Sequence, residues 1–137
     1  MIPHEILLEA LDAAERSATP GRPVYMLNML RFRESALYQD GRDESPCSGR
    51  EAFFERYVPA FRRLAAGRSI QRVFAGHVIA KIVAPAGADW DIAALNEYAD
   101  FATFRAIVDT DAYRSEAQPH RLAALDDFRL FMLDKVM

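Results

Sequence analysis

Several things are scarce in this sequence, and each scarcity excludes a class of protein. There is one cysteine, Cys47, so no internal disulfide forms and a reducing compartment is expected. The three histidines, His4, His77 and His120, lie far apart and no His/Cys pair has ligand spacing, so no metal site is expected. Six glycines are scattered; neither a Walker pattern nor G-x-G-x-x-G occurs, which leaves no phosphate-cradling loop. No window approaches the roughly 18 apolar residues that cross a bilayer. No basic stretch followed by a long apolar run marks a signal peptide. Positive charge is not in excess either: 17 Lys and Arg face 20 Asp and Glu, and the arginines are interleaved with acids, unlike a nucleic-acid footprint. The expectation is a cytoplasmic protein with no cofactor, no nucleic-acid partner and no membrane. Haem is not excluded by composition, but no histidine stands out as an axial ligand.

What is present is an ordinary globular composition, with 51% hydrophobic and 27% charged residues in 137, enough for one domain with one sizeable core. The chain divides into an N-terminal helix and connector, residues 1–22, and a domain, residues 23–137. Pro3–Arg16 has apolar residues at helical spacing, and Thr19–Pro23 ends it. Pro23–Arg33 is a strand apolar on most of both faces, as a central strand is, with Asn28 in its middle. Glu34–Ser48 is a long polar loop whose distinctive side chains are Tyr38 and Cys47. Ser48 and Glu51 form a capping box that starts a helix running to about Ala66, bent at Pro59 and stopped at Gly67. Ile70–Ala84 and Trp90–Tyr98 read as strands around a turn at Pro85–Gly87. Asp100 caps a helix with Phe101, Phe104, Ile107 and Val108 inward; helical turns resume from Ala112 to Leu125, interrupted near Pro119. Asp127–Val136 is the last strand.

After the first helix this order is βαββαβ, an α+β antiparallel sheet of ferredoxin-like pattern with both helices on one face. The first strand is then central, between the third and the fourth. The other face needs a cover, which the N-terminal helix or a second copy of the chain can supply.

Leu27–Phe32, Gly49–Phe53 with Tyr57, Ala75-Gly76, Asp89–Asp91, Phe104 with Tyr113, and His120–Leu125 occur in an order that resembles uncharacterised, domain-of-unknown-function members of the dimeric α/β-barrel superfamily. The resemblance spans roughly Pro23 to Met137. It implies a protomer that forms a homodimer by packing sheet on sheet. It implies no single activity.

Polar residues on apolar strands are the candidates for chemistry. A tight hairpin at Pro85–Ala88 would set His77 opposite Asn96 or Glu97, with Asn28 on the strand beyond. His77 is a candidate general base. Asn28 and Arg121 are candidates to stabilise an enolate or carboxylate. Tyr57, Trp90, Asn96, Tyr98 and Arg121 are candidate substrate-binding residues. Each has a structural alternative. Asn28 and His77 can satisfy each other or the backbone. Arg121 can pair with Asp126 or Asp127, Trp90 can be a core aromatic, and Arg31, Arg33, Arg62 and Arg63 can be ordinary surface charge. Cys47 has no identifiable partner for nucleophilic chemistry. Two functions stay open. One is a cofactor-independent enzyme acting on a small hydrophobic carbonyl or carboxylate compound. The other is a non-catalytic small-molecule-binding or structural homodimer.

Overall fold

In a computed structural model, residues 4–39 and 42–137 are described. They form α1 (Leu8–Ser17), β1 (Val24–Phe32), α2 (residues 49–64), β2 (Ile70–His77), β3 (Ile92–Tyr98), α3 (Phe101–Val108), α4 (residues 113–124) and β4 (Leu125–Leu133). The sheet has four strands in the order β2-β3-β1-β4, all neighbours antiparallel. The strand with two apolar faces, β1, lies between β3 and β4 as expected.

The alternation of side chains along the strands sorts into rows that run across the sheet. Beneath the helices lie three rows: Arg72–Asn96–Met26–Met132, Ala75–Ala94–Asn28–Leu130 and His77–Ile92–Leu30–Phe128. On the opposite face Phe74, Leu95, Leu27 and Phe131 line up across all four strands. Phe74 and Phe131 are exposed there, at 70% and 51%.

Helix α2 starts at the capping box: Glu51 N–H donates to Ser48 Oγ at 3.0 Å, and Ser48 N–H donates to the Glu51 carboxylate at 2.9 Å. It then winds as a π-helix over Ala52–Tyr57 before closing as an α-helix over Val58–Leu64. Helix α4 does the same, π over Tyr113–Ala117 and α over Gln118–Ala124. Both wide segments end two residues before a proline. Val58 N–H bonds Phe53 O, and Gln118 N–H bonds Tyr113 O, each reaching five residues back. A proline has no N–H and its ring crowds the carbonyl four residues earlier, so the turn before Pro59 and Pro119 widens instead of breaking.

Four boundaries differ from the expectation. The first helix begins at Leu8, because Leu7, in extended backbone, is its N-cap, its carbonyl accepting from Leu11 N–H at 3.1 Å, while Ile6 packs against the core; Pro3 lies outside the described residues. β2 stops at His77 and β3 starts at Ile92, so residues 78–91 form a long connection and not a tight hairpin. His77 therefore pairs with Ile92, not with Asn96 or Glu97, and the register slips by one between Arg72 and Phe74. β4 begins at Leu125, directly after α4.

Leu11 of α1 packs with Phe101, Phe104 and Ile107, and Asp12 pairs with Arg105 at 2.7 Å. This helix joins the helical side, so it does not cover the opposite sheet face. At the other end, Gly49 is buried where β1, α2 and α4 meet. A Cβ on it would fall well inside contact distance of the Arg33 and Ala124 carbonyl oxygens, which are backbone and cannot swing away. Gly49→Ala is expected to lower unfolding free energy by about 2–4 kcal/mol in urea titrations; a change within about 0.5 kcal/mol would show that the junction has slack.

Candidate functional site

A cavity of about 690 Å³ lies between the sheet and helices α2 and α4. The middle row of the sheet explains the space. Asn28 is flanked on β3 and β2 by Ala94 and Ala75, whose side chains are too small to fill the gap under the helices. Phe53, Phe54 and Tyr57 of the first π segment and Tyr113 of the second form much of the roof. The size is that of a small-molecule site.

The two ends differ. At the edge strand β2 the rim carries the exposed residues Arg50, Arg62, Arg68, Arg72 and His77. At the far end lies Arg121, only 2% exposed. Its Nε donates to Tyr113 Oη at 3.2 Å, its Nη1 to the His4 carbonyl at 2.8 Å, and its Nη2 to Gln118 Oε1 at 3.3 Å. The guanidinium carbon sits 4.7 Å from the Phe128 ring centroid, a cation–π distance. No ion pair among the described residues includes Arg121. The salt-bridge alternative is therefore corrected: Asp126 pairs with Arg31 and Asp127 with Arg129.

Tyr57 and Tyr113 hydroxyls are 3.0 Å apart. Whichever of the two donates, one phenolic hydrogen is left over from the pair. Burial pushes the Tyr57 phenol well above its ordinary value of 10.0, and Tyr113 beside it pushes further the same way. Burial also raises Tyr98, with Tyr113 adding to it. Both stay protonated donors at neutral pH.

The predicted residues divide. Asn28, Tyr57, His77, Asn96, Tyr98 and Arg121 all line the one cavity. Trp90 does not; it is half-buried outside it, 5.6 Å from the Arg129 guanidinium, so it is neither a pocket aromatic nor a core one. Asn28 and His77 do not satisfy each other. Asn28 Nδ2 donates to the Met26 carbonyl at 3.3 Å. Arg50 Nη2 lies 2.7 Å from His77 Nε2, and since the guanidinium can only donate, that nitrogen accepts. The lone pair of that nitrogen is thereby occupied. Asn96 Oδ1 accepts from Arg72 Nε at 2.5 Å.

Arg50 and Tyr113 escaped the sequence reading as chemical groups. The signal for Tyr113 is Pro119, which widens the turn that carries it. In the polar loop, Tyr38 Oη lies 2.7 Å from His120 Nδ1 and accepts from Arg56 at 3.1 Å, which ties the loop to α4 and α2. Burial, then nearby Arg42, lowers the His120 imidazole from its ordinary value. Cys47 is half-buried against the Ala124–Leu125 end of the core. Among the described residues no group of three His, Cys, Asp or Glu could hold a metal ion, and no helix is long and apolar enough to cross a membrane.

Fold and site together define a small α+β protein with a four-stranded antiparallel sheet and a pocket under its helices. No family model matches the chain, and no curated protein matches it. Among solved structures it is similar to the methylated RPA0582 protein, with 29% identity and a TM-score of 0.80 over 100% of this chain and 98% of that one. It is also similar to RPA0582 described as a protein of unknown function from Rhodopseudomonas palustris, with 28% identity and a TM-score of 0.77 over 97% and 96%.

In the unfolded chain the phenols of Tyr57 and Tyr98 ionise near 10, while the folded chain holds their protons to higher pH. The stability they contribute is complete below about pH 10, begins to fall above it, and is lost as pH rises through the higher values of the folded chain. Urea titrations are expected to show a fall in unfolding free energy above about pH 10, and a shallower fall in the Tyr57→Phe/Tyr98→Phe double variant. An identical slope in the variant would contradict burial of these phenols.

Proposed function

We propose that this chain is a ferredoxin-like protomer of a dimeric α/β barrel whose pocket binds a small, largely apolar molecule carrying a carbonyl or carboxylate. The carrying observation is convergence: Asn28, Tyr57, Asn96, Tyr98 and Arg121 meet on the wall of one cavity otherwise lined mostly by apolar side chains. A few polar groups placed in an apolar cavity fix a ligand's orientation. The strand order β2-β3-β1-β4 supports the ferredoxin-like assignment. The exposed row through Phe74 and Phe131 supports sheet-on-sheet pairing, since contiguous exposed apolar surface marks an interaction face.

As an enzyme, the pocket would work without a cofactor. Tyr57 and Tyr113 supply a buried proton donor, Arg121 a fixed positive charge, and Asn28 an amide beside the reacting atoms; these groups suit stabilisation of an enolate. His77, at the rim, takes the α-proton once its Nε2 is released from Arg50. The occupied Nε2 of His77 favours the second reading, a homodimer that binds its ligand and leaves it unchanged.

Ligand-observed NMR with a panel of small hydrophobic ketones and carboxylates is expected to give binders that compete for one site and are lost in Ala94→Trp, which fills the cavity floor. Binders indifferent to Ala94→Trp would place recognition elsewhere. Faster exchange of α-protons for deuterium in a bound ketone would support catalysis; an unchanged rate would leave the binding role. Light scattering at micromolar concentration is expected to give twice the chain mass, and Phe131→Glu to give the single chain. A monodisperse monomer before substitution would overturn the dimer.

A further inference from the structure

The pocket carries positive charge that no described residue of its lining balances. Five arginines line it, Arg50, Arg62, Arg68, Arg72 and Arg121, and among the described residues no aspartate or glutamate does, in a chain whose net charge is −3. Four of these arginines stand in solvent at the rim, where water screens them. Arg121 does not. It is 2% exposed, and its three hydrogen bonds go to neutral oxygens of Tyr113, His4 and Gln118. Arginine stays charged at any ordinary pH, and an uncompensated charge out of water costs several kcal/mol.

Donors and acceptors are also unequal. A guanidinium has five N–H groups, and three are used by these bonds. The Tyr57–Tyr113 pair leaves one more hydrogen. The inner end of the cavity thus offers one cation and surplus donors, without a carboxylate from the described residues. A carboxylate is acceptor-only and can take a bidentate pair of N–H bonds from one guanidinium, so it answers both the charge and the donor excess. A carbonyl or amide answers neither the charge nor most of the donors.

Resting on the pocket reading above, we infer that the ligand is an anion: an aromatic or medium-chain aliphatic carboxylate, its charged head seated at Arg121 and its apolar body lying over Ala94, Ile92 and Leu30 beneath Phe53. The rim arginines draw the anion in, raising its rate of arrival without fixing it. The head group enters first and the apolar end remains toward β2.

Matched acids and amides test this by calorimetry: octanoate against octanamide, and 3-phenylpropanoate against 3-phenylpropanamide. The acids are expected to bind at least about tenfold tighter than their amides, as a charge-assisted pair requires. Binding of the acids is expected to be lost in a folded Arg121→Gln protein. Because Arg121→Gln can fail to fold, the salt dependence of the unsubstituted protein is measured as well. A head group at buried Arg121 keeps its affinity within about threefold between roughly 0.05 and 0.5 M NaCl, whereas one held by the rim weakens steeply. Amides that bind as tightly as acids, or acids whose affinity collapses with salt, would overturn the anchor at Arg121 and leave an apolar pocket in place. Failure of all four compounds to bind would overturn the pocket reading with it.

Discussion

A buried guanidinium is the constraint that orders the rest of this structure. Arg121 cannot shed its charge, so its N–H groups need acceptor oxygens. Tyr113 supplies one from two turns earlier on α4, Gln118 one from three residues before, and the His4 carbonyl one from the far N-terminal segment. The extended path of His4–Leu7 is thereby tied to α4. Phe128 of β4 meets the guanidinium, which ties the same residue to the sheet. Three parts of the chain, α4, the N-terminal segment and β4, converge on one side chain.

The two π segments make that convergence possible. Each widens the helix just before a proline, and each carries a tyrosine inward. Widened turns are an uncommon local solution, and both occur in the elements that roof the cavity. Together with Ala75 and Ala94 on the floor, they leave room that regular helices over larger strand residues would fill. The cavity is therefore a product of local backbone choices and small side chains.

Much of this was legible in the residues. The two-sided apolar pattern of Pro23–Arg33 identified the central strand, and the capping box located the start of α2. Asn28, standing alone in that strand, pointed to a polar group beneath the helices, where it lies. What was not legible depended on partners distant in sequence. The position of His77 required knowing that residues 78–91 would not close as a hairpin, and period-two alternation does not reveal where pairing ends. Arg121 read as a candidate to hold a carboxylate or enolate, or else as the partner of a nearby acid, and nothing in the residues showed that it would be buried. Its burial follows from the packing of α4 on the sheet, and the acids close to it in sequence went to Arg31 and Arg129. Trp90 read as the first residue of a strand, and as a pocket or core aromatic, yet that strand begins two residues later at Ile92 and the indole lies outside the cavity.

The measurement that bears most directly on the central claim is a crystal structure of the protein as purified, read at the inner end of the cavity. The account predicts an acceptor group, a carboxylate of a retained molecule or an anion from solution, within hydrogen-bond distance of Arg121 and of a Tyr57 or Tyr113 hydroxyl. A cavity closed by side chains, or a protein aspartate or glutamate seated against Arg121, would contradict it.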